Sequence, residues 1–281
     1  MLKVQNFSYH NHTNFSDGKC SLKEMVEQAK KIGFCEMGIS DHLIVHKNIE
    51  QSPSWPKLSG RYASTVYRKD FKKCLPEFQR HCEEIRKISK QEKIKLYVGF
   101  EVDFFTYEGW LEELKEFLSQ LDYDYLVSGN HFMSNEKGDT IINIDCIKGI
   151  TDTIKDLPEY IANHFGAMKK SAESGLYSFL AHIDYIRKLG DNICGPHQYV
   201  ENKIEVLKVL QENNMGIEIS TKGLRKINDF YPCSEILDKI AELGIKTVIS
   251  DDAHNIDELG SDFEKAEKEL TKHNITHRLK F

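Results

Sequence analysis

Six histidines and three carboxylates, spread from position 10 to position 254 in short groups that follow apolar stretches, restrict what this chain can fold into more than any other feature. The groups are His10 and His12 with Asp17, Asp41-His42, Glu101, Asn130-His131, His182 with Asp184, and Ser250-Asp251-Asp252-Ala253-His254. Residues so far apart form a site only where a fold collects strand ends at one place.

The apolar stretches have strand length and cover 4–9, 35–40, 95–100, 125–129, 178–181, 216–219 and 246–250. Six of the seven run into one of the groups, and the seventh runs into Glu218-Ile219-Ser220-Thr221. Helical spacing fills the gaps. Ser21 and Glu24 form an S-x-x-E capping box ahead of Leu22, Met25, Val26, Ala29 and Ile32, with Gly33 as the stop. Tyr67, Phe71, Phe78, Cys82, Ile85 and Ile88 share one face of a longer helix that Pro76 is expected to kink or split. Further helices are expected over 110–118, 161–172, 196–210, 232–240 and 259–270. Strands alternating with helices imply right-handed crossovers and a parallel sheet. A closed barrel accounts for polar residues at so many strand ends, because an open doubly wound sheet unites only the strands beside its switch point. Seven strands make that barrel irregular. One domain spanning 1–281 is expected. Its insertions fall at 43–63, which should cover or line the active face, and at 132–155, where Ile141, Ile142, Ile144 and Ile147 suggest a small hairpin.

His10 and His12, two apart, point to the same side of a strand and can chelate one ion. Nine donors exceed the roughly four of a structural zinc site, and carboxylates among them favour two or three divalent ions with positions left for water and substrate. If Glu101 bridges two ions, the nine groups suffice for three. The surplus positive charge of such a centre suits a phosphomonoester dianion with one hydroxide. Any one of these histidines alone reads more simply as a packed core residue; the ordered set at successive strand ends is what points to metal.

The balance of 38 Lys and Arg against 44 Asp and Glu gives a formal charge of −6. With no basic stripe of interleaved aromatics, extended nucleic-acid binding is not expected. Seven cysteines without a C-x-x-C pair suggest neither a disulfide framework nor a cysteine zinc knuckle, and agree with a reducing cytoplasm. The opening MLKVQNFSYH lacks a signal-peptide pattern, and no apolar run nears the ~18 residues of a membrane span. A soluble cytoplasmic protein acting on a small molecule is therefore expected, with no membrane partner; nothing in the pattern sets an oligomeric state.

The motifs H-N-H-T-N-F-S-D-G, I-S-D-H, G-F-E-V-D, S-G-N-H-F, A-H-I-D and S-D-D-A-H, in that order over residues 9 to 260, resemble those of the polymerase and histidinol phosphatase (PHP) superfamily. G-F-E-V-D, A-H-I-D-Y-I-R-K and S-T-K-G-L-R-K followed by Y-P are further similar to its monofunctional histidinol-phosphate phosphatase branch. The resemblance implies a distorted (β/α)7 barrel with its metal site at the C-terminal ends of the strands. It also implies hydrolysis of L-histidinol phosphate to L-histidinol and phosphate in histidine biosynthesis. Two to three divalent transition-metal ions, zinc, manganese or iron, would be the cofactors. The implied ligands are His10, His12, Glu101 and Asp252 for one ion, Glu101, His131 and His182 for a second, and Asp17, His42 and His254 for a third. Asp252 is preferred to Asp251 because it keeps the D-A-H spacing to His254. A hydroxide bridging the first two ions would attack phosphorus. Glu101, Asp17 and His254 are then the catalytic candidates, with Asp17, His254 or a metal-bound water as the proton donor. His42, Arg187 and Arg225 are the substrate-binding candidates, the arginines because guanidinium matches phosphate oxygens in pairs. Asp103 and Asp184 either orient histidines or cap loops, and Asp41 either orients His42 or begins a turn. His46, His81, His164, His197, His273 and His277 lie off the pattern and read as surface or helix residues. The competing readings are a PHP-type phosphoesterase or nuclease on a nucleotide substrate, and a catalytically silent, metal-stabilised binding module.

Overall fold

Short apolar runs become strands here, and the amphipathic runs between them become helices that cover the strands. The computed structural model describes residues 4–60, 65–147, 154 and 156–281, and at Asp191 the backbone alone. Seven strands lie side by side in chain order: β1 (Phe7–Ser8), β2 (Glu36–Ile39), β3 (Lys95–Val102), β4 (Tyr125–Ser128), β5 (Phe179–Leu180), β6 (Gly216–Ser220) and β7 (Thr247–Ser250). Every pairing along this path is parallel. Each strand is followed by a helix: α1 (Leu22–Lys31), α2 (Phe71–Gln91), α3 (Trp110–Leu118), α4 (Leu157–Glu173), α5 (Val200–Glu212), α6 (Leu237–Glu242) and α7 (Phe263–Lys272). The sheet is nearly closed, a distorted (β/α)7 barrel as expected.

Closure differs from the other joints. Among the described residues β1 and β7 share no ladder; the side chain of Gln5 reaches across to the backbone of Ile249, and the single bridge Asn11 to Ala253 lies just above. Inside the ring, Tyr9, Tyr97, Tyr125, Val127, Phe179 and Val248 form an apolar layer with Leu279, and Phe281 packs against it. The Phe281 ring lies 4.7 Å from that of Tyr9 and 4.8 Å from that of Tyr125. Gly99 must be glycine, since a Cβ there would fall 2.3 Å from the Tyr125 ring. Tyr97, Gly99 and Glu101 share one face of β3, so Glu101 emerges above this aromatic floor.

Several local expectations meet a physical test. The capping box at Ser21 and Glu24 is formed and starts α1. Tyr67, expected on the second helix, instead lies in a short strand, Tyr67–Arg68. Extended backbone at Asp70 ends that strand, and its carboxylate then caps α2 by accepting from the N–H groups of Lys72 and Lys73. Pro76 neither splits nor ends α2; lying past the first turn it forgoes the backbone bond to the Lys72 carbonyl, and the buried face of Phe71, Cys74, Phe78, Cys82 and Ile85 holds the helix together across it. The last helix begins at Phe263 rather than 259, after a 3-10 turn over Ile256–Glu258.

The first insertion is ordered in its described part. His42–Val45 continues as a strand beside the end of β3, pairing His42 with Glu101, and Trp55–Leu58 forms a short helix. The second holds the expected hairpin, Phe132–Ser134 against Ile141–Asn143. Residues 61–63 and 148–153, with 155, belong to these insertions and lie outside the described residues. All seven cysteines are free, and no described helix is long and apolar enough to cross a membrane.

Candidate metal centre

The strand ends deliver all nine predicted donors to one point above the aromatic floor. Glu101 stands at its middle. Its Oε2 lies 3.2 Å from His10 Nε2, 3.4 Å from His12 Nε2 and 3.0 Å from His42 Nδ1. Its Oε1 lies 3.0 Å from His182 Nε2 and 3.5 Å from His131 Nε2. Asp252 Oδ1 faces His12 Nε2 at 3.2 Å, His254 Nδ1 at 3.4 Å and His10 Nε2 at 3.7 Å. Asp17 Oδ1 faces His254 Nε2 at 3.2 Å, His42 Nε2 at 3.4 Å and His12 Nδ1 at 4.0 Å. Seven of the nine are buried, whereas the side chains of Asp17 and His254 are 17% and 19% exposed and form the open side.

Backbone strain helps to aim these groups. Asn130, His182 and Asp252 all have positive φ, +54°, +25° and +46°, a region that non-glycine residues enter only when their surroundings compel it. Gly129 is needed for a different reason: a Cβ there would meet Glu101 Oε1 at 2.7 Å.

Around the donors stands a set of supporting groups. Asp103 takes one of its two possible roles as an orienting partner, accepting from His131 Nδ1–H at 2.7 Å and from the His131 backbone N–H at 2.6 Å. Asp41 does something other than either expectation. It accepts from Thr13 N–H and Oγ1–H, Ser16 Oγ–H and His81 Nε2–H, so it fixes the loop that carries Asp17 rather than His42. His81, expected as a surface or helix residue, is buried in α2 for this purpose, and His46 and His164 are buried on backbone carbonyls. Asp184 binds the backbone of Cys233 and no histidine. Asp251 turns away to Ser8 and Gly260, and burial pushes it up to about 7, while Asp252 faces the centre as the D-A-H spacing implied.

Sequence reasoning missed Glu218, which pairs with His10 Nδ1 at 2.6 Å, accepts from His182 N–H at 3.0 Å and binds Ser250 Oγ. Its signal was a carboxylate set in the apolar strand Gly216–Ser220.

Over the centre lies a cleft of about 440 Å³ lined by Asp17, His42, His131 and His254 of the donor set. Lys57, Lys188 and Lys222 also line it, as do Tyr67, Asp145 and Tyr185. The two predicted arginines are absent from its lining. Arg187 pairs with Asp229 at 2.9 Å and Asp184 at 3.6 Å, and Arg225 donates to the carbonyl of Asp251 at 2.6 Å. Burial would strip the proton from Lys222, but Asp252, 2.6 Å away, holds it as an ammonium. Burial, with Lys222 nearby, pushes Lys188 down to about 8 although Asp145 opposes.

The donor atoms themselves test whether metal belongs here. His10 Nε2, both nitrogens of His12, His42 Nδ1, His182 Nδ1, Glu101 Oε2 and Asp252 Oδ1 are buried without a hydrogen-bond partner, an arrangement that costs free energy unless a cation satisfies it. Burial, with His254 and His42 close by, pushes His12 down to about 3, which keeps it the neutral imidazole that ligates metal. Burial alone would raise Glu101, yet His10, His131 and His42 hold it well below the carboxylate range. Unpaired imidazole and carboxylate atoms turned on one another at a barrel's strand ends fit a centre that holds more than one metal ion.

The model of the PHP domain matches residues 8–222, and the chain belongs to that family. Proteins described as probable histidinol-phosphatases from Deinococcus radiodurans and Clostridium acetobutylicum are 25% and 24% identical to it over 199 and 274 residues. Those matches cover 70% and 93% of this chain and 71% and 91% of the relatives. Among solved structures, a candidate histidinol phosphatase from Listeria monocytogenes superposes with a TM-score of 0.74 at 21% identity, over 92% of this chain and 99% of that one. Histidinol phosphate phosphatase from Lactococcus lactis, solved with zinc, L-histidinol and phosphate, gives 0.69 at 19% identity, over 99% and 97%. At such identities these likenesses speak for the fold.

Proposed function

We propose that this protein hydrolyses L-histidinol phosphate to L-histidinol and inorganic phosphate, the phosphatase step of histidine biosynthesis, in the cytoplasm. The observation that carries the reading is the cluster of nine converging donors, six of them with buried atoms that lack a hydrogen-bond partner, beneath a lysine-lined cleft whose volume suits a small ligand rather than a polymer. The relatives and the complex with zinc, L-histidinol and phosphate support the choice of substrate.

The ligand sets remain those the family pattern implies: His10, His12, Glu101 and Asp252; Glu101, His131 and His182; Asp17, His42 and His254. The tight groups His12, Asp17, His42, His254 and His10, His12, Glu101 support the third and the first of them, and His42, Glu101, His131 lends weight to the second. Zinc, manganese or iron ions held there would supply Lewis acidity toward the phosphoryl oxygens and an acidified water. The protein supplies the rest. Glu218 and Asp103 fix the imidazoles of His10 and His131 in orientation. Asp17 and His254, the more exposed pair, or a metal-bound water would hand a proton to the departing alkoxide. Lys188 and Lys57 give the cleft positive charge for a phosphate dianion, a task the sequence pattern had suggested for Arg187 and Arg225.

The test is a side-by-side assay of L-histidinol phosphate, mononucleotides and short oligonucleotides with manganese, zinc and iron. L-histidinol phosphate should lead in kcat/KM by about a hundredfold or more, the scale set by polar recognition of a substrate; a nucleotide hydrolysed as well would overturn the assignment. The pH profile offers a second check. Lys188 is cationic below about 8 and neutral above it, so KM should rise as pH passes about 8, and Lys188→Arg, which stays charged, should flatten that rise.

A further inference from the structure

Lys222 is a cation of the cleft that touches a donor of the centre. It follows β6 directly, at the start of the short helix Lys222–Ile227. The backbone beneath it is pinned twice: Thr221 N–H donates to Ser250 O at 2.8 Å, and Ser220 and Tyr231 exchange backbone hydrogen bonds. Its Nζ lies 2.6 Å from Asp252 Oδ2, the carboxylate oxygen opposite the one that faces His10, His12 and His254. Its side chain is only 13% exposed, yet it lines the cleft with Asp17, His131 and Lys188. An ammonium carries three N–H donors, more than its ion pair with Asp252 engages.

We propose that Lys222 is a phosphate-contacting residue, anchored through Asp252 so that its remaining N–H groups meet a non-bridging oxygen of the bound phosphomonoester. The inference rests on the phosphomonoesterase reading and deepens it by naming a contact. Anchoring matters because a lysine stem is otherwise flexible and loses rotamer freedom on binding; Asp252 restricts it beforehand. The same ion pair engages Asp252 Oδ2, while Oδ1 is the oxygen turned to the imidazoles.

The test compares wild type, Lys222→Met and Lys222→Arg, each loaded with manganese. Bound metal is measured by elemental analysis, inorganic phosphate affinity by calorimetry, and kcat and KM on L-histidinol phosphate separately. Loss of a charge-assisted hydrogen bond predicts phosphate binding about ten- to a hundredfold weaker in Lys222→Met at unchanged metal content, with KM raised more than kcat is lowered. Lys222→Arg should recover part of the affinity; it is also the informative variant if Lys222→Met does not fold. Unchanged phosphate affinity at full metal content would overturn the proposal. So would loss of metal in step with loss of phosphate, since Lys222 would then only position Asp252. Wild type that binds phosphate through Lys222 but hydrolyses no phosphomonoester would instead sink the functional reading and leave the contact standing.

Discussion

Glu101→Gln is expected to abolish nearly all turnover while leaving the barrel folded. Five imidazoles approach this one carboxylate within 3.5 Å, so the amide would remove a ligand and the negative charge that all five share at once. Partners that merely orient metal ligands cost about 10–100-fold in metal affinity or activity when lost; a shared ligand should cost more, and kcat should fall by at least about a hundredfold. Metal content should fall as well, by at least one ion. Near-normal kcat with full metal content would remove Glu101 from the middle of the mechanism.

Chelation should lower thermal stability as well as activity. Stripped of cations, the centre leaves buried donors facing one another without partners. A ligand present at a thousand times its dissociation constant stabilises the native state by about 4 kcal/mol. For a chain of this size that corresponds to a Tm lower by roughly 8–16 °C after treatment with a strong chelator, restored by manganese, zinc or iron and not by magnesium alone. The pH dependence has a definite sign. In the metal-free protein, burial works against protonation of His10 and His42, but Glu101 with Glu218, and Asp17 with Glu101, hold both well above the usual histidine range. Those protons must leave before metal binds, so affinity rises with pH and metal is shed on acidification. A Tm indifferent to chelator at neutral pH would tell against metal as a structural part of this fold.

The nine donors were legible because their chemistry and their place at strand ends are both local properties of the chain. The two-residue spacing of His10 and His12, and the D-A-H spacing that picks Asp252 over Asp251, needed no tertiary information. Glu218 could have been seen: an acidic residue inside an apolar strand, on the same face as Gly216 and Ser220, has to point at something. His81 could have been read as well, since it lies three residues after Phe78 and four before Ile85, on the buried face of α2. The cleft lysines and the two arginines were not readable, because a long side chain's destination depends on which neighbours reach it first. Arg187 is claimed by Asp229, a residue 42 positions on. Tyr67 misled because its spacing suits a helix and only the capping carboxylate of Asp70 marks where the helix can begin.

The joint between β1 and β7 gains a meaning from what sits beside it. Every other pair of neighbouring strands is laced by a backbone ladder, whereas this one is joined by the side chain of Gln5, the Ser8 hydroxyl on Asp251 and one bridge at Asn11. His10 and His12 leave from one lip of that opening, Asp252 and His254 from the other. An ion held jointly by these residues would act as a rivet across the barrel's weakest seam, so the same atoms that serve the chemistry would also decide whether the cylinder stays shut.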